Sequence, residues 1–114
     1  MGDSKEKLMS DADLKKEIDS ITLQLVNKYR AQKVVLFGSA ARGQFGPDSD
    51  LDFLIVKQDV PQNRRERMRQ VRRLVETRLP ADYLVYRKEE LENRLKLGDP
   101  FLKRVFAEGQ VLYG

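Results

Sequence analysis

Apolar residues recur at helical spacing at Leu14, Ile18, Ile21, Leu25 and Tyr29, behind a Ser10-x-x-Asp13 capping box. The pattern predicts an amphipathic helix over about residues 11–31. The run Val34-Val35-Leu36-Phe37, stopped by Gly38, reads as a buried strand, and the segment from Ser39 to Pro47 as a turn holding one short helical turn. A second strand follows at Leu51–Val56, entered through Pro47-Asp48-Ser49-Asp50. From Pro61, the residues Met68, Val71, Leu74 and Val75 form the apolar side of a helix running to about Arg78, where Pro80 breaks it. Ala81–Tyr86 is a third strand and Glu89–Leu97 a helix that ends at Gly98. Asp99-Pro100 supplies an N-cap and an N1 proline for a last short helix with Phe101, Leu102, Val105 and Phe106 as its core face, closed by Gly109. Val111-Leu112-Tyr113 adds an edge strand. The order α-β-β-α-β-α-α-β predicts an α/β (α+β) fold with a small mixed β-sheet packed against helices. Residues 1–10 are expected to be a flexible N-terminus and 11–114 a single domain.

Composition narrows the chemistry. Among 114 residues there is no His and no Cys, which excludes thiolate nucleophiles, zinc and iron sites built on sulfur or imidazole, and the imidazole general base. Catalysis here must rest on carboxylates, hydroxyls, cationic side chains or backbone groups, and any metal should be a hard cation held by oxygen. No stretch approaches the roughly 20 apolar residues of a membrane span, and residues 1–10 lack a signal-peptide h-region, so a cytoplasmic protein without a membrane partner is expected.

The net charge of +4 is unevenly spread. Between Lys57 and Arg78 stand eight basic residues against three acidic ones, so the rest of the chain is close to neutral. This arginine-rich helix reads first as a solvated face with Glu66 and Glu76 forming local pairs. The sharper alternatives are docking of an acidic partner surface and the holding of RNA or nucleotide phosphate. The scarcity of aromatics among the arginines argues against base-stacking recognition of a single strand, and direct nucleic-acid binding is not expected.

The constellation with chemical content begins at the end of the first strand: Gly38-Ser39-Ala40-Ala41-Arg42-Gly43, then Asp48-Ser49-Asp50-Leu51-Asp52. Asp50 and Asp52, two apart at the entry to a strand, leave the same face with Cα atoms about 6 to 7 Å apart. They are either solvated turn residues or ligands of a divalent cation. Asp52 leads directly into Phe53-Leu54-Ile55-Val56, where a carboxylate is costly unless paired or ligated. Asp82 opens the third strand in the same way, and adjacent strands entering one edge would gather three carboxylates. Such a site can clamp a phosphate ester between two ions, with one carboxylate accepting a proton from the attacking hydroxyl. Gly38, the Ser39 hydroxyl and the Arg42 guanidinium offer phosphate contacts next to it, although neither the Gly-x-x-x-x-Gly-Lys nor the Gly-x-Gly-x-x-Gly spacing is present.

Gly38-Ser39, ten intervening residues, Asp50-x-Asp52, and a third Asp at 82 together resemble the minimal nucleotidyltransferases of the DNA polymerase beta superfamily, over about residues 30–113. The resemblance implies a transfer of a nucleoside monophosphate from a nucleoside triphosphate, usually ATP, to a hydroxyl. It implies Mg2+, two ions or with Mn2+ in its place, on Asp50, Asp52 and Asp82, with Asp82 also the base. It places the triphosphate on Gly38 and Ser39, with Arg42 at a further family position. Stand-alone domains of this size are similar to the antitoxin half of modules whose toxin is a HEPN-class ribonuclease, neutralised by adenylylation of a Tyr. That implies a HEPN-type toxin as partner and an acceptor supplied by a separate molecule. The alternatives are a non-catalytic antitoxin that acts by binding, and transfer to a small-molecule hydroxyl.

Overall fold

The computed structural model describes residues 10–114, so the expectation of a flexible N-terminus falls, Ser10 apart, outside the described residues. Eight elements follow in order: α1 (Asp11–Asn27), β1 (Lys33–Phe37), β2 (Leu51–Val56), α2 (Arg64–Leu74), β3 (Ala81–Tyr86), α3 (Lys88–Lys96), α4 (Pro100–Glu108) and β4 (Gln110–Tyr113). The sheet has the order β3-β2-β1-β4. β1 runs antiparallel to β2 and β4, whereas β2 and β3 are parallel, joined through α2. The expected mixed sheet is therefore what forms.

Helices cover both faces of the sheet, which explains why β2 is apolar along nearly its whole length instead of alternating. One face buries Val34, Leu36, Phe53, Ile55 and Val85 against Ile21 and Leu25 of α1 and Val71 of α2. The other packs Val35, Leu54, Val56 and Tyr86 against Leu91 of α3 and Leu102 and Val105 of α4. Asp52 alone in β2 escapes full burial. The carboxylate thus marks the end of the sheet that neither layer closes.

Three helix ends differ from their predicted positions. α1 starts as expected, with the Ser10 hydroxyl accepting from the Asp13 amide at 3.1 Å. It stops at Asn27, because Arg30 takes a left-handed conformation (φ +68°) that turns the chain toward β1. Tyr29 is still buried, beyond the helix and not on it. α2 begins at Arg64 and not near Pro61. Asn63 caps it by accepting from the amides of Arg65 and Glu66, and the Pro61 and Gln62 carbonyls accept from Arg67 instead. At its other end Val75 is extended. The next residues are tied to α1: Gln24 exchanges two hydrogen bonds of 2.8 Å with the Glu76 backbone, and Glu17 accepts from Thr77 and the Arg78 amide. Leu74, assigned to the apolar face, is exposed.

Arg67 is the largest departure from the pattern. It is 1% exposed, and its guanidinium donates to both oxygens of Glu90 at 2.7 and 3.0 Å and to the Val85 carbonyl at 3.0 Å. This one arginine of the basic helix therefore forms an internal clamp between α2, β3 and α3. It lies four residues before Val71, so the helical stripe that buries Val71 also carries Arg67 inward. Gly109 does end α4, with an extended backbone and not a left-handed one. Any Cβ there would strike the Val105 carbonyl and approach the Leu36 carbonyl to 2.8 Å. Among the described residues no helix is long and apolar enough to cross a membrane.

Candidate active site

Sheet register builds the site. Asp52 is the cross-strand partner of Asp82 on β3 and of Phe37 on β1. Residues paired in this way point to one face, so both carboxylates emerge on the α3/α4 side, at the open end of the sheet. Asp50 lies one step before β2, in the turn where the Ser49 hydroxyl accepts from the Gly46 amide at 3.0 Å. The Leu51 amide donates to the Pro80 carbonyl at 2.9 Å, which holds the starts of β2 and β3 side by side.

Gly38 ends β1 with φ +77°, and a Cβ at this position would lie on the Asp52 Oδ2 atom. The absent side chain lets the carboxylate rest against the backbone of the turn. After Gly38 the chain makes the expected short helical turn: the Arg42 amide donates to the Gly38 carbonyl at 3.2 Å and the Gln44 amide to the Ser39 carbonyl at 2.8 Å. The first amides of such a turn have no partner within it and are free to meet an anion. The Arg42 guanidinium meets Glu108 at 3.7 Å.

The electrostatics of the site centre on Asp52. Burial, then repulsion from Asp82 and Asp50, push the Asp52 carboxyl up from 3.8 to about 6, with Arg42 opposing. Asp82 is met by Arg72 of α2, whose Nη2 lies 3.3 Å from Oδ1. Nothing in the spacing foretold Arg72, since it reaches the site across the α2–β3 packing. Among the described residues no three acidic side chains close into an ion cage. The donor set nevertheless fits Mg2+ or Mn2+. These are hard cations that take one or two carboxylates and complete their shells with water and substrate phosphates, and they would relieve the repulsion that raises Asp52.

Phe101 is a correction to the predicted core. It is 46% exposed, its ring edge-on to Phe37 with centroids 5.7 Å apart. The two rings border a cavity beside Gly38 and Arg42.

A mixed sheet of this order, with aspartates at one end of parallel neighbours and a Gly-Ser turn against them, defines a nucleotidyltransferase fold. The chain belongs to the nucleotidyltransferase domain family, whose model matches residues 15–113, and so to a class of enzymes that transfer nucleotidyl groups. Among solved structures it is similar to a proposed nucleotidyltransferase from Sulfolobus solfataricus, with a TM-score of 0.54 at 23% identity over 90% of this chain and 87% of the other. At that identity the likeness concerns the fold. No curated protein matches the chain.

Proposed function

We propose that the protein transfers AMP from ATP to a hydroxyl of a protein partner, with Asp50, Asp52 and Asp82 as the acidic centre. The observation that carries this reading is the contact of Asp52 with Gly38, which sets one carboxylate of the group directly against the Gly38-Ser39 turn. Gly38 and Ser39 hold the triphosphate, with Arg42 swinging in from Glu108. Asp50 and Asp52 would hold the divalent ion together with Asp82. When bound, it supplies charge neutralisation on the phosphates. The acceptor oxygen attacks the α-phosphorus, the bond from that phosphorus to the β-phosphate oxygen breaks, and pyrophosphate leaves. Asp82 takes the hydroxyl proton, which requires it to exchange Arg72 for the incoming group.

The open end of the sheet favours an acceptor presented by another macromolecule. The resemblance to minimal nucleotidyltransferases favours a tyrosine of a HEPN-type toxin and an antitoxin role. The test is incubation with α-labelled ATP, Mg2+ and the candidate toxin, for wild type and for Asp82→Asn. Label on the toxin with wild type and none with the variant is expected. Equal labelling by both would refute the carboxylate assignment. Protection of cells by an unlabelling variant would favour the binding-only antitoxin.

A further inference from the structure

The cavity between the Gly38 turn and α4 has a volume of about 180 Å³ and is lined by Phe37, Gly38, Arg42, Phe101, Arg104 and Glu108 among others. It shares Gly38 with the phosphate-binding turn, and Phe37 in its wall is the cross-strand partner of Asp52. A single half-exposed aromatic on a surface needs no explanation. Phe101 differs because it lines a cavity that shares Gly38 with the Asp52 contact and because its backbone is capped in place. Asp99 accepts from its amide at 2.9 Å and Pro100 opens the helix, fixing its backbone in the first turn of α4, and its ring rests edge-on against Phe37.

The lining selects the occupant. Phe37, Phe101 and Val105 give the lining an apolar part from which a flat, π-faced group gains more than a phosphate does. The rim is polar: Arg104 carries donors, and Glu108, 3.7 Å from Arg42 and solvent-exposed, is left as an acceptor once Arg42 turns to the phosphates. A nucleobase has this combination of an apolar face and a hydrogen-bonding edge. The volume falls below the roughly 300–1,000 Å³ of a pocket that encloses a whole ligand. It suits one ring system whose sugar and phosphates continue outside, over Gly38 and Ser39.

We propose that this cavity binds the base of the donor nucleotide, with Phe101 as the stacking platform and a specificity-determining residue. The inference rests on the nucleotidyl-transfer reading above and deepens it by assigning the nucleoside subsite. Calorimetric titration separates the two, with ATP and inorganic tripolyphosphate as probes, each with Mg2+. Stacking on an aromatic ring makes ATP bind wild type about tenfold more tightly than tripolyphosphate. Phe101→Ala removes that preference and leaves tripolyphosphate affinity unchanged, and Phe101→Tyr, which keeps the ring, keeps the preference. Equal affinities of wild type for both probes would overturn the base subsite while leaving the phosphate site in place. So would an ATP preference that survives in Phe101→Ala, or a loss of both probes by that variant, which would put the ring in the fold instead of the subsite. Binding of neither probe by wild type would remove the nucleotidyl-transfer reading and this inference together.

Discussion

Asp52→Asn should make the metal-free protein more stable, although it abolishes the proposed chemistry. The wild-type carboxyl stands at about 6 against an ordinary 3.8, because folding half-buries it next to Asp82 and Asp50. At about 1.4 kcal/mol per unit, holding it ionised at pH 7.5 costs at most about 3 kcal/mol. Solvent reaches part of the group, so about 1–2 kcal/mol is the better expectation. The folded state binds the extra proton between the unfolded and folded values. Wild-type stability therefore falls as pH rises from about 4 through 6 and stays at its lower level above. Removing the charge should raise the melting temperature by about 5 °C at pH 7.5, and the gain should shrink at pH 4.5. Thermal melts followed by far-UV circular dichroism at both pH values test this. Added Mg2+ should raise the wild-type melting temperature at pH 7.5 and raise that of the variant less. A variant no more stable than wild type at pH 7.5, or an equal gap at both pH values, would refute the argument from crowded charge.

Gly38→Ala combines a strained backbone with a Cβ driven onto Asp52, whereas Gly43, at φ +72°, has nothing within 4 Å of its absent Cβ. Urea denaturation should show a loss of about 1–2 kcal/mol for Gly43→Ala from strain alone and a larger one for Gly38→Ala, which should also lose labelling activity. Arg67→Ala leaves Glu90 and the Val85 carbonyl without their partner, at a cost of about 3–5 kcal/mol read from the same curves. Hydrogen bonding from Arg67 holds Glu90 down at about 2 against 4.5. The contribution of this pair is present above about pH 4.5 and is lost as pH falls toward 2, which an acid titration of wild type should reveal.

Strand positions were legible because Val34–Phe37, Leu51–Val56 and Ala81–Tyr86 are short apolar runs bounded by Gly, Pro and Asp, and the bounding signals act locally. The acidic pattern was legible for the same reason, since Asp52 interrupts an otherwise apolar strand and Asp50 stands one step before it. Helix ends were less so: α1 stops for the sake of Arg30, and α2 stops because Gln24 and Glu17, far away in sequence, bind the segment after it. Phe101 has the spacing of a core residue, and only the place of β1 beside α4 turns its ring to Phe37.

By itself the amino-acid sequence determined the element order, the oxygen-only chemistry that follows from the lack of His and Cys, and which three aspartates interrupt or open apolar strands. Tertiary structure alone decided that Asp52 and Asp82 share one register and that Asp52 lies on Gly38. It also decided that Arg67 is internal and that Arg72 meets Asp82. The reason is physical: periodicity and capping act over a few residues, whereas charge crowding, burial and ion pairing depend on which strands and helices become neighbours.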